Sequence, residues 1–405
     1  MARTHPESLL VKILLVTANF AAPGINPWLL DDLVSAFLAA GHSVDVVVNS
    51  PTAARPSGID DSRPGLRVLS IGATSAPAGT FAKAVAYAAT GIQLHTKGWR
   101  FVRHEEYDLC VYTSIAAFDY AFPGRVRRAG IAKRLLFVMW DFFPIHQLEI
   151  GRIRLSGVGA PLRRIERAAI APADVLAVMS PANESFMRGY HPGLTGEYVV
   201  IPPWASDAPS GSVASDKFQN FTVLFGGQLA KGRGVDTLLQ AAAILKSRQS
   251  RIDIQIAGAG PDEAALKSLA AQLNTTNVTF AGQLDRETYR SLLRRVHVGI
   301  AVTVPGVSVP SFPSKIVEYC ANGLPVIVSV EPTSDAGDLI EGRGAGLVTA
   351  AGDAQQLADA IARLSTEHTA GTLNDRGIAA RRLFHTDFSV TVAARRMVDA
   401  AESSR

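Results

Sequence analysis

Short apolar runs along this chain alternate with longer segments whose apolar positions recur at helical spacing. In the first half the runs Ile13–Val16, Ser43–Val48, Leu66–Ser70, Leu109–Tyr112, Leu135–Met139, Val175–Met179 and Tyr198–Ile201 read as strands buried on both faces. The second half repeats the pattern with Thr222–Phe225, Ile252–Ile256, Val278–Ala281, Val298–Val302, Pro325–Val328 and Gly346–Val348. Asp285–Arg295 and Asp353–Leu364 carry apolar residues at helical spacing, which assigns those faces to core packing, and Ser389–Ser403 reads as a final helix. Strand–helix alternation in two series predicts an α/β protein of two Rossmann-like, doubly wound lobes. Ligands in such lobes bind at the carboxyl ends of the strands.

Between the two series, after Pro202-Pro203-Trp204, the chain turns small and polar from Ala205 to Lys217. The expected division is therefore an N-terminal lobe at 1–203, a linker at 204–217, a C-terminal lobe at 218–385 and a terminal segment at 386–405. A length of 405 residues agrees, being long for one core. The only cysteines, Cys110 and Cys320, form neither a disulfide framework nor a metal-ligand spacing, as expected of a reduced, cytoplasmic protein. Leu9–Val16 is interrupted by Lys12, too short to span a bilayer, and has no cleavage site behind it. Any membrane contact is expected to be peripheral.

Two turns carry candidate chemistry. In Phe312-Pro313-Ser314-Lys315-Ile316-Val317-Glu318, Pro313 ends whatever precedes it and Ser314 is placed to cap a new helix. The amides of Lys315 and Ile316 would then face outward at the positive end of that helix, suited to phosphate. Glu318, one turn on, is placed for sugar hydroxyls. The second turn is Gly226-Gly227-Gln228-Leu229-Ala230-Lys231-Gly232-Arg233-Gly234, between a strand and a helix. Gly227 permits close backbone approach, Gln228 is polar, and Lys231 and Arg233 supply charge. The first pattern also fits an ordinary capped helix that binds nothing, and the second a flexible strand-to-helix loop with solvated charges.

Taken together and in this order, these turns resemble the nucleotide-sugar half of retaining glycosyltransferases of family 4, whose two-lobed fold is called GT-B. The run Glu318-Tyr319-x-Ala321-x-Gly323-x-Pro325-Val326 resembles in particular a branch acting in surface polysaccharide assembly. The resemblance implies a metal-independent hexosyltransferase. It would move a hexose from a nucleotide diphosphate sugar to a glycan or lipid-linked acceptor and need no cofactor. Lys231 and Arg233 would stabilise the departing diphosphate, Ser314, Lys315 and Ile316 would hold its oxygens, and Glu318 would bind ribose. The chain departs from the family at Gln228, where arginine is frequent, and at Pro310, where the first of two paired glutamates is expected. It also lacks a histidine in Cys110-Val111-Tyr112-Thr113-Ser114, where the family often has one. Pro310 and the missing histidine keep a non-catalytic binding subunit open, and the shared architecture keeps open a nucleotide-sugar epimerase of the same fold.

In the first lobe the resemblance makes Gly24, in the turn Ala22-Pro23-Gly24, the donor-facing contact, while an ordinary strand-to-helix turn fits equally. Trp140-Asp141-Phe142-Phe143-Pro144-Ile145-His146 leaves the end of a strand, so Asp141 is a candidate acceptor-side base, while a turn-capping Asp141 and a surface His146 fit equally. The segment Pro123–Arg167 holds ten Lys or Arg against three acids, suited to anionic lipid headgroups or a lipid-diphosphate acceptor, or simply to solvent. No recognised module accompanies this charge, so nucleic acid is not an expected partner.

Overall fold

The computed structural model describes residues 10–18, 20, 29–54, 57–73, 79–113, 121–151, 157, 159–207 and 217–402. Two separate sheets organise them. The first contains β1 (Lys12–Thr17), β2 (Ser43–Ala54), β3 (Gly58–Arg63), β4 (Leu66–Ala73), β5 (Tyr107–Thr113), β6 (Ala132–Met139), β7 (Val175–Val178) and β8 (Glu197–Val200), in the order β3-β4-β2-β1-β5-β6-β7-β8. The second contains β9 (Phe221–Gly226), β10 (Ile252–Ala257), β11 (Val278–Gly282), β12 (Val298–Val302), β13 (Val326–Val330) and β14 (Gly346–Ala350), in the order β11-β10-β9-β12-β13-β14. All pairings are parallel except β3 with β4. The protein is thus two Rossmann-like lobes, with strand order reversing at β1/β5 in one and at β9/β12 in the other. Ligand crevices open at such reversals.

Burial on both faces explains why the strands are continuous apolar runs. Ile13 and Leu15 of β1 enter one apolar layer with Val34 and Phe37, while Leu14 and Val16 enter the opposite layer with Phe122 and Phe137. Every residue of β9 is buried. The strand β3 is the one element of the first sheet that the apolar pattern does not predict. Its sequence Gly-Ile-Asp-Asp-Ser-Arg is polar because it is an exposed antiparallel edge.

The final helix, Val390–Glu402, leaves the second lobe and packs on the first. Ala393, Ala394 and Met397 share a layer with Val34 and Phe37, and Arg134 Nη2 donates to the Ala400 carbonyl at 3.3 Å. Trp204, on the outgoing strand of chain between the lobes, is buried and its indole donates to Leu29 O at 2.8 Å. Among the described residues no helix is long and apolar enough to cross a membrane.

The lobes also touch directly. The loop after β12 sends Val307 and Val309 into the first lobe's layer beside Phe142, Val178 and Met187. Asn183, buried in the first lobe, donates Nδ2 to Pro310 O at 2.8 Å, and Asp335 of the second lobe accepts from Ala182 N at 2.8 Å. Glu149 of the first lobe accepts from both the amide (3.0 Å) and the hydroxyl of Ser308.

Candidate functional site

The two loops at the reversal of the second sheet, 227–234 after β9 and 303–314 after β12, face the first lobe. The glycine-rich loop is held from behind by β10. Gly227 N donates to Ala257 O at 2.9 Å and Leu229 N to Ala259 O at 3.0 Å. A side chain at Gly258 (φ 144°) would overlap the Gly227 carbonyl, so that strand end can approach the loop only as glycine. At the other end Gly234 (φ 61°) opens the helix Val235–Ser247, and a Cβ there would overlap Thr303 O. Between these fixed ends Gln228, Lys231 and Arg233 are exposed. Among the described residues the amides of Gln228, Lys231 and Gly232 have no protein partner. Free amides beside two cations suit an anion.

The second loop is held by a buried carboxylate. Glu331, at the end of β13 and 2% exposed, accepts from Ser311 N at 2.6 Å and from Thr303 Oγ1 at 2.8 Å. One side chain therefore ties the start of the loop to the turn that leads into the short helix Lys315–Ala321. On that helix Lys315 Nζ donates to Glu318 Oε2 at 2.6 Å, and the same ammonium lies 4.8 Å from the centre of the Tyr289 ring. Tyr319, fully buried, accepts from Gly226 N at 2.9 Å, so this helix is also tied to the start of the glycine-rich loop. Burial raises the phenols of Tyr289 and Tyr319 well above their usual range, leaving both as neutral hydroxyls.

Across the cleft stands the short helix Ile145–Glu149 of the first lobe. His146, half-buried, is close enough to Arg233 and Asp141 to feel both charges. Burial lowers its pKa, with Asp141 opposing that shift and Arg233 reinforcing it. Ile150, at the end of this helix, packs against Gly232, where a Cβ would stand 3.2 Å from its Cγ2. The base of the helix is fixed by Glu166, fully buried, which accepts from Phe143 N at 2.8 Å and bonds His191 Nε2 at 2.8 Å.

Lys231, Arg233, Gln228 and Gly227 thus lie on one loop, and Ser314, Lys315 and Glu318 on the next. Asp141 is exposed at the facing edge of the first lobe, and Gly24 lies outside the described residues. Three details differ from the sequence reading. Ser314 has helical backbone angles and its side chain makes no cap bond, because the helix begins as a tight turn in which Val317 N donates to Ser314 O at 3.2 Å. The amide of Ile316 is not available to an anion, since it donates to Pro313 O at 3.1 Å; those of Ser314 and Lys315 have no partner among the described residues. The Gly227 amide is likewise committed to Ala257.

Sequence reasoning missed Glu331, Asn183, Glu149 and Tyr289. Each acts through a tertiary contact with no local motif. His146 alone had a signal, its place just past the end of β6. Pro310, where a carboxylate is expected by resemblance, contributes its backbone carbonyl to Asn183 instead.

Comparison with known proteins bears on the second lobe's family and on the fold. The family model described as glycosyl transferases group 1 matches residues 214–382. A curated relative, the uncharacterized glycosyltransferase YqgM of Bacillus subtilis (strain 168), is 29% identical over 160 residues, 38% of this chain and 44% of that protein. The amylovoran biosynthesis glycosyltransferase AmsK of Erwinia amylovora is 27% identical over 187 residues, 45% of each chain. The matched segment thus spans less than half the length of either relative. Among solved structures, sucrose-phosphate synthase (tll1590) from Thermosynechococcus elongatus superposes with a TM-score of 0.73 at 18% identity, covering 97% of this chain and 98% of that one. At that identity the likeness is one of fold.

Proposed function

We propose that the chain, whose residues 214–382 match the family model of glycosyl transferases group 1, transfers a hexose from a nucleotide diphosphate sugar to a glycan or lipid-linked acceptor, with retention of anomeric configuration. The observation that carries this reading is the meeting of two loops and one facing helix. Lys231, Arg233 and free amides line one side of the cleft, Lys315 and Glu318 the next, and Asp141 and His146 the other. A departing diphosphate needs cations and amides aimed at its oxygens, and an acceptor needs an edge that orients its hydroxyl.

In this scheme Lys231 and Arg233 neutralise the leaving diphosphate, and the amides of Ser314 and Lys315 bind its oxygens. Glu318 accepts from sugar hydroxyls once Lys315 turns from it toward phosphate. Asp141 orients or deprotonates the acceptor hydroxyl, and His146, kept neutral by burial, stands beside it as a hydrogen-bonding group. The Glu149–Ser308 and Asn183–Pro310 bonds hold the lobes in the juxtaposition the reaction needs, and water is excluded between them. The relative AmsK acts in amylovoran biosynthesis, which supports a surface polysaccharide or glycolipid as the product class.

The test is an NMR assay of the purified chain with nucleotide diphosphate sugars and a panel of glycan and lipid-linked acceptors. Transfer with retained anomeric configuration is expected, and turnover in EDTA should equal turnover in magnesium. Product formed from donor alone would replace this reading with an epimerase, and donor binding without transfer across the panel would make the chain a binding subunit.

A further inference from the structure

The basic residues of Pro123–Arg167 are not equivalent once the chain is folded. Arg127 pairs with Asp174, Lys133 with Asp108 and Arg134 with Glu197, while Arg125 lies 3.7 Å from the centre of the Trp99 ring. Three others, Arg163, Arg164 and Arg167, converge from the helix Gly159–Ile170 on one groove of about 500 Å³. Its apolar lining comes from Ile145, Leu148 and Tyr190. Arg163 donates to Tyr190 O and stacks 4.4 Å from that ring, and Arg167 Nη1 donates to Pro192 O at 2.6 Å. Bonds to carbonyls hold these guanidinium groups in place without cancelling their charge. Among the described residues Arg164 has no partner, and none of the three arginines is in an ion pair. The helix's one carboxylate, Glu166, is turned inward and spent on Phe143 and His191.

We propose that this groove binds a phosphate or diphosphate group carried by the acceptor, with the attached chain lying on the apolar wall. Arginines held in a fixed orientation suit phosphate oxygens, which accept paired N–H bonds. The placement suits an acceptor because the helix Ile145–Glu149 separates groove from cleft. Ile145 and Leu148 line the groove, and His146, on another face, senses Arg233 across the cleft. A helix with its side chains is roughly 10–12 Å thick, which sets the distance from the bound phosphate to the reacting hydroxyl. In calling the ligand an acceptor this inference rests on the transferase reading; the groove and its charge do not.

The test reads binding in a full-length chain carrying Lys231→Ala and Arg233→Ala, so that the donor loop cannot supply the signal. Inorganic pyrophosphate is titrated at fixed ionic strength, and in parallel the chain is floated with phosphatidylcholine vesicles with and without phosphatidylglycerol. Arg164 is exposed and unpartnered, so Arg164→Glu leaves the fold intact. The expected result is a Kd for pyrophosphate that rises about 10-fold or more on Arg164→Glu. Binding to phosphatidylglycerol vesicles alone, abolished by the same substitution, would assign the phosphate to a lipid headgroup. If neither ligand senses Arg164→Glu, the proposal is overturned. Donor binding by the unsubstituted chain, measured separately, stands or falls on its own.

Discussion

At the scale of single residues, His42 and His297 do the same work in the two lobes. Each precedes a strand and accepts a backbone amide at Nδ1, His42 from Val11 at 3.3 Å and His297 from Thr222 at 3.0 Å. Burial lowers the pKa of both, and for His297, with His368 and Lys217 adding to the effect, it falls to about 4. The unfolded chain takes up its proton near pH 6.5 and the folded chain only near 4, so this part of the stability is present above about pH 6.5 and is lost as pH falls toward 4. His297→Asn keeps an acceptor but does not titrate. Its melting temperature is expected to fall less than wild type between pH 7 and pH 5, and parallel curves would refute the assignment. In the cleft, Glu318→Ala removes a half-exposed carboxylate bonded, among the described residues, only to Lys315. We expect donor affinity to fall about 10-fold with the melting temperature nearly unchanged, by calorimetry and thermal denaturation. Lys231, Arg233 and Glu318 could be picked out from sequence because glycines, cations and a proline-led turn mark their loops locally. Glu331 could not, since nothing near it in the chain tells that its carboxylate reaches Ser311 twenty residues earlier.

Among elements, the loop 303–314 binds the rest together. It carries two valines into the first lobe, and it is held by Glu331 from its own lobe and by Asn183 from the other. Asn183→Ala would leave the buried carbonyl of Pro310 without its donor, at a cost of about 1–3 kcal/mol. The expected result is a lower melting temperature together with faster hydrogen exchange in this loop. Unchanged exchange there would show that the valines alone suffice. The parallel strands could be read from sequence because burial on both faces makes them unbroken apolar runs. The strand β3 could not, being a polar edge, and the helix cap expected at Ser314 was displaced by a tight turn whose amides bond backward to Pro313 and Ser314.

On the scale of the whole molecule, each sheet has one switch point, and the final helix Val390–Glu402 spans from the second lobe to the first lobe's core. The cleft is therefore shaped by lobe contacts that no local pattern encodes, whereas the existence of two lobes follows from the doubled strand series. Anchored by Val390, Ala393 and Met397 against Val34 and Phe37, the last helix is expected to be indispensable. A chain ending at Ser389 should lose the cooperative unfolding of the first lobe while the second still melts. Under the proposed function this cleft holds a nucleotide diphosphate sugar on Lys231 and Arg233. The most direct test is a thermal-shift titration of the purified chain with UDP, GDP, dTDP and their sugar conjugates, repeated on Lys231→Ala/Arg233→Ala. Ligands that bind only the folded state stabilise it by mass action. Stabilisation by one nucleotide family is expected in the wild type, with its loss in the double variant. No shift with any nucleotide, or an equal shift in the variant, would contradict the proposed function.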